Sequence, residues 1–238
     1  MIKAFWYKSK NFGDQLTPAV LEFFLNEKIE LADRNEKGKL MGIGSIMTAI
    51  RNDDVVWGSG SIREAMIKGF KNVKFLAVRG PLTRGCIEGF VPEIYGDPAL
   101  LLPLIYKPEI KKEYKIGILP HYVDKMMVID EAVLNPEKDK FLIIDIEKPW
   151  KEVIDNILSC EKIITSSLHG IIAAEAYGIP VKWVKYSDKI IGGTFKFDDY
   201  FLGTGREFQR YGDVTPMINL KERQDVLINR LKNYYGKN

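Results

Sequence analysis

The chain has 238 residues, 46% of them hydrophobic and 28% charged, with a net charge of +3. Such a composition fills a core and solubilises a surface, and it is too mildly basic to point to nucleic acid. Its two cysteines, Cys86 and Cys160, form no CxxC pair, which argues against a disulfide framework or a zinc ribbon and for a reducing, cytoplasmic setting.

In chain order, Ile2–Tyr7 reads as a strand rather than a signal peptide, since no small-residue cleavage site follows an apolar segment. Asn11–Asp14 reads as a loop and Gln15–Asn26 as a helix with Pro18 in its first turn. Lys39–Ile43 is a short strand ending at Gly44-Ser45, followed by a helix near Ile46–Ile50. Asp54–Trp57 and Val73–Val78 are strands, the first ending at Gly58-Ser59-Gly60 and the second at Arg79-Gly80. Pro81 suits a helix first position, and Asp97 suits a cap on a turn begun by Pro98. Lys107–Lys115 is charged, carries Pro108 and reads as a linker. A second series follows: strand Tyr114–Leu119, helix Asp124–Asn135, strand Phe141–Asp145, helix Trp150–Ser159, strand Lys162–Thr165, helix Gly170–Tyr177 and strand Val181–Lys185. Gly192–Gly205 is aromatic, glycine-rich and reads as irregular. Leu220–Tyr235, with Val226, Leu227 and Leu231 among charges, is an amphipathic helix. No apolar run approaches a membrane span.

The alternation implies an α/β fold of two Rossmann-like, doubly wound domains facing a cleft. The expected division is 1–106, 107–214 and a terminal helix over 215–238. Open α/β sheets bind ligands beyond the carboxyl ends of their strands. Asp14, Ser45, Ser59, Arg79, Asp97, Ser166, Ser167 and His169 all occupy that address, with Gly13, Gly58 and Gly60 beside them. Each has a plainer reading as well. Asp14 could cap a helix from Gln15, Asp97 and Ser166 could be caps, and Arg79 could sit in a salt bridge. His169 could be a capping or core histidine, and His121, the other of only two histidines, a structural or substrate-lining one. Gly58-Ser59-Gly60 lacks the spacing of a dinucleotide fingerprint, no Walker A lysine is present, and no cluster has metal-ligand spacing.

Six segments occur in order: Asn11-Phe12-Gly13-Asp14-Gln15-Leu16, Gly42-Ile43-Gly44-Ser45, Val56-Trp57-Gly58-Ser59-Gly60, Val78-Arg79-Gly80-Pro81, Gly96-Asp97-Pro98-Ala99 and Ser166-Ser167-Leu168-His169-Gly170. Together they resemble the polysaccharide pyruvyl transferase family over about Ile2 to Phe201. The resemblance implies a GT-B-like pair of Rossmann-like domains. It also implies transfer of pyruvate from phosphoenolpyruvate onto a sugar as a ketal, with no cofactor and no metal. Such chemistry needs an acid, a base and anion clamps, and His169, Asp14 and Arg79 supply one of each. Many relatives carry an arginine before the Leu-His pair where this chain has Ser167, so Lys185 or Lys189 is expected to replace it. The implied partners are phosphoenolpyruvate and a sugar or lipid-linked oligosaccharide acceptor, not nucleic acid. The implied place is the cytoplasm, and a peripheral seat at the inner membrane face stays open. Two other classes remain in view: a nucleotide-sugar glycosyltransferase on a similar scaffold, and a non-catalytic carbohydrate-binding relative.

Overall fold

A computed structural model describes residues 1–9, 11–133 and 141–236, with the side chains of 130–133 left aside. Two five-stranded sheets, each flanked by helices, make up a mixed α/β fold. In the first, β1 (Ile2–Phe5), β2 (Ile29–Leu31), β3 (Leu40–Met41), β4 (Val55–Trp57) and β5 (Lys74–Ala77) are all parallel, in the order β2-β1-β3-β4-β5. The second contains β6 (Tyr114–Leu119), β7 (Phe141–Ile143), β8 (Cys160–Thr165), β9 (Val181–Trp183) and β10 (Gly212–Asp213), in the order β7-β6-β8-β9-β10. Only β10 runs antiparallel, against β9.

Renumbered within its own half, the second sheet repeats the order of the first, 2-1-3-4-5. In this order the chain reverses direction across the sheet between strands 1 and 3, and that crevice is where doubly wound sheets open to ligands. The crevices lie between β1 and β3 in one half and between β6 and β8 in the other. Each is entered from a strand whose polar carboxyl end was legible in the sequence.

Helices α1 (Phe12–Leu25), α2 (Pro81–Gly85), α3 (Leu102–Ile105), α4 (Lys125–Val133), α5 (Trp150–Leu158), α6 (Leu168–Ala176), α7 (Phe195–Gly203) and α8 (Leu220–Tyr235) complete the fold. Leu16, Val20, Leu21 and Leu25 recur at helical spacing on α1 and are all buried. They join Val153, Ile154 and Ile157 of α5 and Ile171 and Ile172 of α6 in a core that runs through both halves. α8 then returns to the first half: the Trp57 indole N–H donates to the Leu227 carbonyl at 2.9 Å, and Gln224 donates to the Leu100 carbonyl at 2.7 Å.

Several elements differ from the sequence reading. The stretch 192–205 is not irregular, because α7 occupies Phe195–Gly203 and buries Phe197, Tyr200 and Phe201. Phe197 stacks on Trp183 at a centroid distance of 4.6 Å, and the Tyr200 hydroxyl donates to Glu175 at 2.8 Å, so these rings are core. Ile46–Ile50 shrinks to a 3-10 turn at Met47–Ala49. Of the apolar stripe on α8, Leu227 and Leu231 are buried and Val226 is exposed. The end expected for α4, at Asn135, lies outside the described residues.

Candidate functional site

The β1–α1 turn sets the first part of the site. The Asn11 side chain accepts the Gly13 N–H at 3.0 Å and caps α1. The helix therefore begins at Phe12, ahead of the Gln15 start expected from sequence, and Asp14 is its third residue instead of its cap. Relieved of capping, the Asp14 carboxylate receives the Ser9 hydroxyl. Burial pushes its pKa up, while the Ser9 hydroxyl and the Lys196 ammonium pull it back.

The turns after β3, β4 and β5 are laced together. Ser59 Oγ donates to the Gly42 carbonyl at 2.6 Å and the Gly60 N–H to the Gly44 carbonyl at 3.0 Å. Gly58 has φ +89°, and a Cβ there would come within 2.3 Å of Pro98, so the tight turn admits only glycine. Arg79 lies fully buried against Gly60. Its Nε donates to Asp199 Oδ2 at 3.0 Å, Nη1 to Ser45 Oγ at 2.7 Å and Nη2 to the Ser61 carbonyl at 2.5 Å. Asp199 comes from α7 in the other half and also receives the Thr83 N–H at 2.8 Å and hydroxyl at 2.6 Å. Asp97 caps its turn by accepting the Ala99 N–H at 3.0 Å. Its second oxygen is buried without a partner, and burial raises the carboxyl to about 6.

From the second half, the β8–α6 turn contributes Ser166, Ser167 and His169. Ser167 is the cap of α6, accepting the Gly170 N–H at 3.4 Å, so α6 starts at Leu168 and His169 is its second residue. Ser166 has a different task. Its hydroxyl donates to Asp124 Oδ2 at 2.9 Å and accepts the His121 N–H at 2.9 Å. Asp124 is buried, and its other oxygen receives the Ser187 hydroxyl. One carboxylate thus ties the ends of β6 and β8 to the loop after β9. Lys185, on that loop, pairs with Asp188, and Lys189 donates its backbone N–H to Ser187 at 3.2 Å. Both lysines are exposed loop residues.

The halves meet at His169. A Cβ built on Gly13 would stand 2.0 Å from His169 Nδ1, so the imidazole rests on the bare Cα of the residue before Asp14. The Phe12 ring meets the imidazole edge-on at 6.2 Å, and the Phe12 N–H donates to the Ile146 carbonyl across the same junction at 2.9 Å. His169 Nε2 is buried and has no hydrogen-bond partner. Burial lowers this imidazole to about 3, helped by the charges of Lys196 and Arg79, and lowers His121 to about 4, helped by Lys196 and opposed by Asp124. At neutral pH both rings are uncharged, with desolvation rather than the helix dipole as the main cause.

The sequence reading did not single out Lys196 or Asp124. Lys196 follows Phe195 in the first turn of α7 and is 8% exposed. Its charge acts on Asp14, His121 and His169 together. Its one mark in the sequence was its place as a lone lysine inside the aromatic run Phe195-Lys196-Phe197. Asp124, three residues after His121, carried no comparable mark.

Among the described residues, no helix is long and apolar enough to cross a membrane. No solved structure matches the chain. It is 32% identical over 226 residues to an uncharacterized protein, L143, of Acanthamoeba polyphaga mimivirus, covering 90% of this chain and 78% of that protein. It is 28% identical over 211 residues to the succinoglycan biosynthesis protein ExoV of Rhizobium meliloti, covering 84% of this chain and 64% of the relative's length. The polysaccharide pyruvyl transferase family matches residues 49–188, more than half of the chain and the stretch that carries Ser59, Arg79, Asp97 and His169. With that match, the chain belongs to the polysaccharide pyruvyl transferase family.

Proposed function

We propose that the protein transfers the pyruvyl group of phosphoenolpyruvate onto two hydroxyls of one sugar in a polysaccharide precursor, forming a ketal. The observation that supports this most directly is the junction where His169 rests on Gly13, immediately before Asp14. There His169 of one half packs on the residue next to Asp14 of the other, and the charge of Lys196 acts on both side chains. In the proposed reaction the donor's methylene carbon takes a proton from His169, leaving positive charge at C2. One sugar hydroxyl adds to C2 and gives its proton to Asp14. The second hydroxyl then attacks C2 and gives its proton to His169, which the first step left neutral, while the phosphate leaves with the C2–O bond electrons as inorganic phosphate.

The proton states of the free site fit this order of events. A neutral His169 cannot donate, so it must gain a proton as the donor binds, and an anion placed beside it favours that gain. Asp14, half-buried and free of capping, is a carboxylate whose raised proton affinity suits a base. The relation to a succinoglycan biosynthesis protein supports a polysaccharide acceptor. We assign the reaction to the cytoplasm, with the two halves acting as GT-B-like Rossmann domains.

Incubation with phosphoenolpyruvate and candidate sugars tests the reading. Release of inorganic phosphate that depends on the sugar, together with a sugar product carrying a pyruvate ketal by mass spectrometry, is the expected result. Tight binding of a nucleotide sugar without turnover of phosphoenolpyruvate would move the reading to glycosyl transfer. No turnover of either donor, with sugar binding retained, would favour a non-catalytic carbohydrate-binding role.

A further inference from the structure

We propose that Lys196 is the residue that grips the anionic donor, and that its ammonium supplies the charge-assisted hydrogen bonds to a phosphate or carboxylate bound between the two halves. This rests on the reading above for the identity of the donor, but the anion site stands on its own observations.

Buried ammonium groups in folded proteins are paired, because removing a charge from water costs several kcal/mol. Lys196 is 8% exposed, yet it makes no hydrogen bond and no ion pair with any described residue. Its ammonium lies over the face of Phe197, 5.4 Å from the ring centroid, and phenylalanine is a weaker partner for a cation than tryptophan. The other basic groups around it are already committed or neutral. Arg79 is spent on Asp199, Ser45 and the Ser61 carbonyl, and both imidazoles are uncharged at neutral pH. Lys196 therefore holds three donor hydrogens that no described residue receives, beside groups that come from both halves.

The charged neighbours come from every element around the site. Asp14 on α1 raises the ammonium's proton affinity, and Arg79 after β5 lowers it along with burial, leaving it at about 8. Lys196 in turn suppresses protonation of His121 after β6 and His169 on α6. An anion seated on Lys196 neutralises that field. One binding event then fixes the ligand and lets His169 take up its proton.

With only two histidines in the chain, imidazole NMR signals give a readout that does not need turnover. Inorganic phosphate and phosphoenolpyruvate are titrated into the wild-type protein, Lys196→Met and Lys196→Arg. In the wild type, either anion should shift the His169 signal and raise its apparent pKa. Lys196→Met should weaken phosphoenolpyruvate binding about tenfold or more, the scale of a lost hydrogen bond to a charged group, with Lys196→Arg recovering most of it. In turnover, KM for the donor should rise more than kcat falls. A measurement on the wild type alone guards against a variant that fails to fold: phosphate affinity should drop as pH rises through about 8, where Lys196 loses its proton.

Unchanged affinity in Lys196→Met, or phosphate affinity that is flat through that pH, overturns the proposal while leaving pyruvyl transfer intact. Anion binding that depends on Lys196, in a protein that turns over no phosphoenolpyruvate with any sugar, would instead retain the anion site and reject the donor assignment.

Discussion

At the scale of single residues, the site depends on what is missing from Gly13. His169 occupies the space a Cβ would fill, so glycine there is a packing requirement of the imidazole rather than a turn requirement of the backbone. Gly13→Ala should displace the ring, costing roughly 1–3 kcal/mol of stability as an overpacked contact and a larger share of kcat. A fully active, equally stable alanine variant would mean that His169 does not work from this position. His169→Gln should lower kcat by roughly 10²–10⁴-fold, the scale of lost acid–base assistance, with a smaller effect on donor affinity. Turnover at saturation that survives the change would assign His169 to binding and turn attention to His121. Much at this scale was legible in the sequence, because polar residues that interrupt apolar strands mark the sheet edge without knowledge of packing. What each one does was not. Ser166 and Ser167 are neighbours of the same type, yet one caps α6 and the other bridges Asp124 to the His121 backbone, and only the third dimension separates them.

At the scale of elements, α7 joins the halves. Gly80 stands where a Cβ would meet the Asp199 carbonyl at 1.8 Å, and Gly203 where one would meet the Arg79 carbonyl at 2.2 Å. Through that close approach Asp199 reaches Arg79 and Thr83, so a carboxylate from the second half neutralises a fully buried guanidinium in the first. Breaking a buried pair by removing one partner leaves the other charge stranded. Asp199→Asn should therefore destabilise the protein by on the order of 3 kcal/mol in urea unfolding, whereas exposed pairs such as Lys221–Asp225 contribute little. A loss below about 1 kcal/mol would show that Arg79 finds other support. α7 escaped the sequence reading because glycines bracket it and aromatic residues crowd it, and both features lower helix propensity. Tertiary burial of Phe197, Tyr200 and Phe201 overrides that weak preference. The start of α1 was misplaced for a related reason: Asp14 and Asn11 are both good caps, and the choice between them is settled by burial of Phe12.

At the scale of the whole molecule, two sheets of the same strand order present their crevices to one shared junction, and that junction stores a dependence on pH. His121 and His169 take up protons at 6.5 in an unfolded chain but only at about 4 and about 3 in the fold. Their contribution to stability is complete above 6.5 and is lost as pH falls from there toward those lower values. Asp97 acts in the opposite sense. Its carboxyl binds a proton at about 6 when folded and at 3.8 when unfolded, so the fold gains as pH falls through that interval, and Asp14, also raised, adds to the same side. Between about pH 7 and about pH 5.5, each imidazole costs roughly 1 kcal/mol and Asp97 offsets somewhat less than that. The two histidines outweigh the carboxyl, and the protein should be less stable at the lower pH by on the order of 1–2 kcal/mol in urea unfolding. His121→Asn, which removes one titrating ring from the same junction, should remove about half of the imidazole contribution to that difference. Saturating phosphoenolpyruvate should also shrink it, because an anion beside His169 makes protonation of the folded site easier. Stability that stays level or rises toward about pH 5.5 would mean that the imidazoles are already charged in the free protein, and proton uptake could then not accompany donor binding.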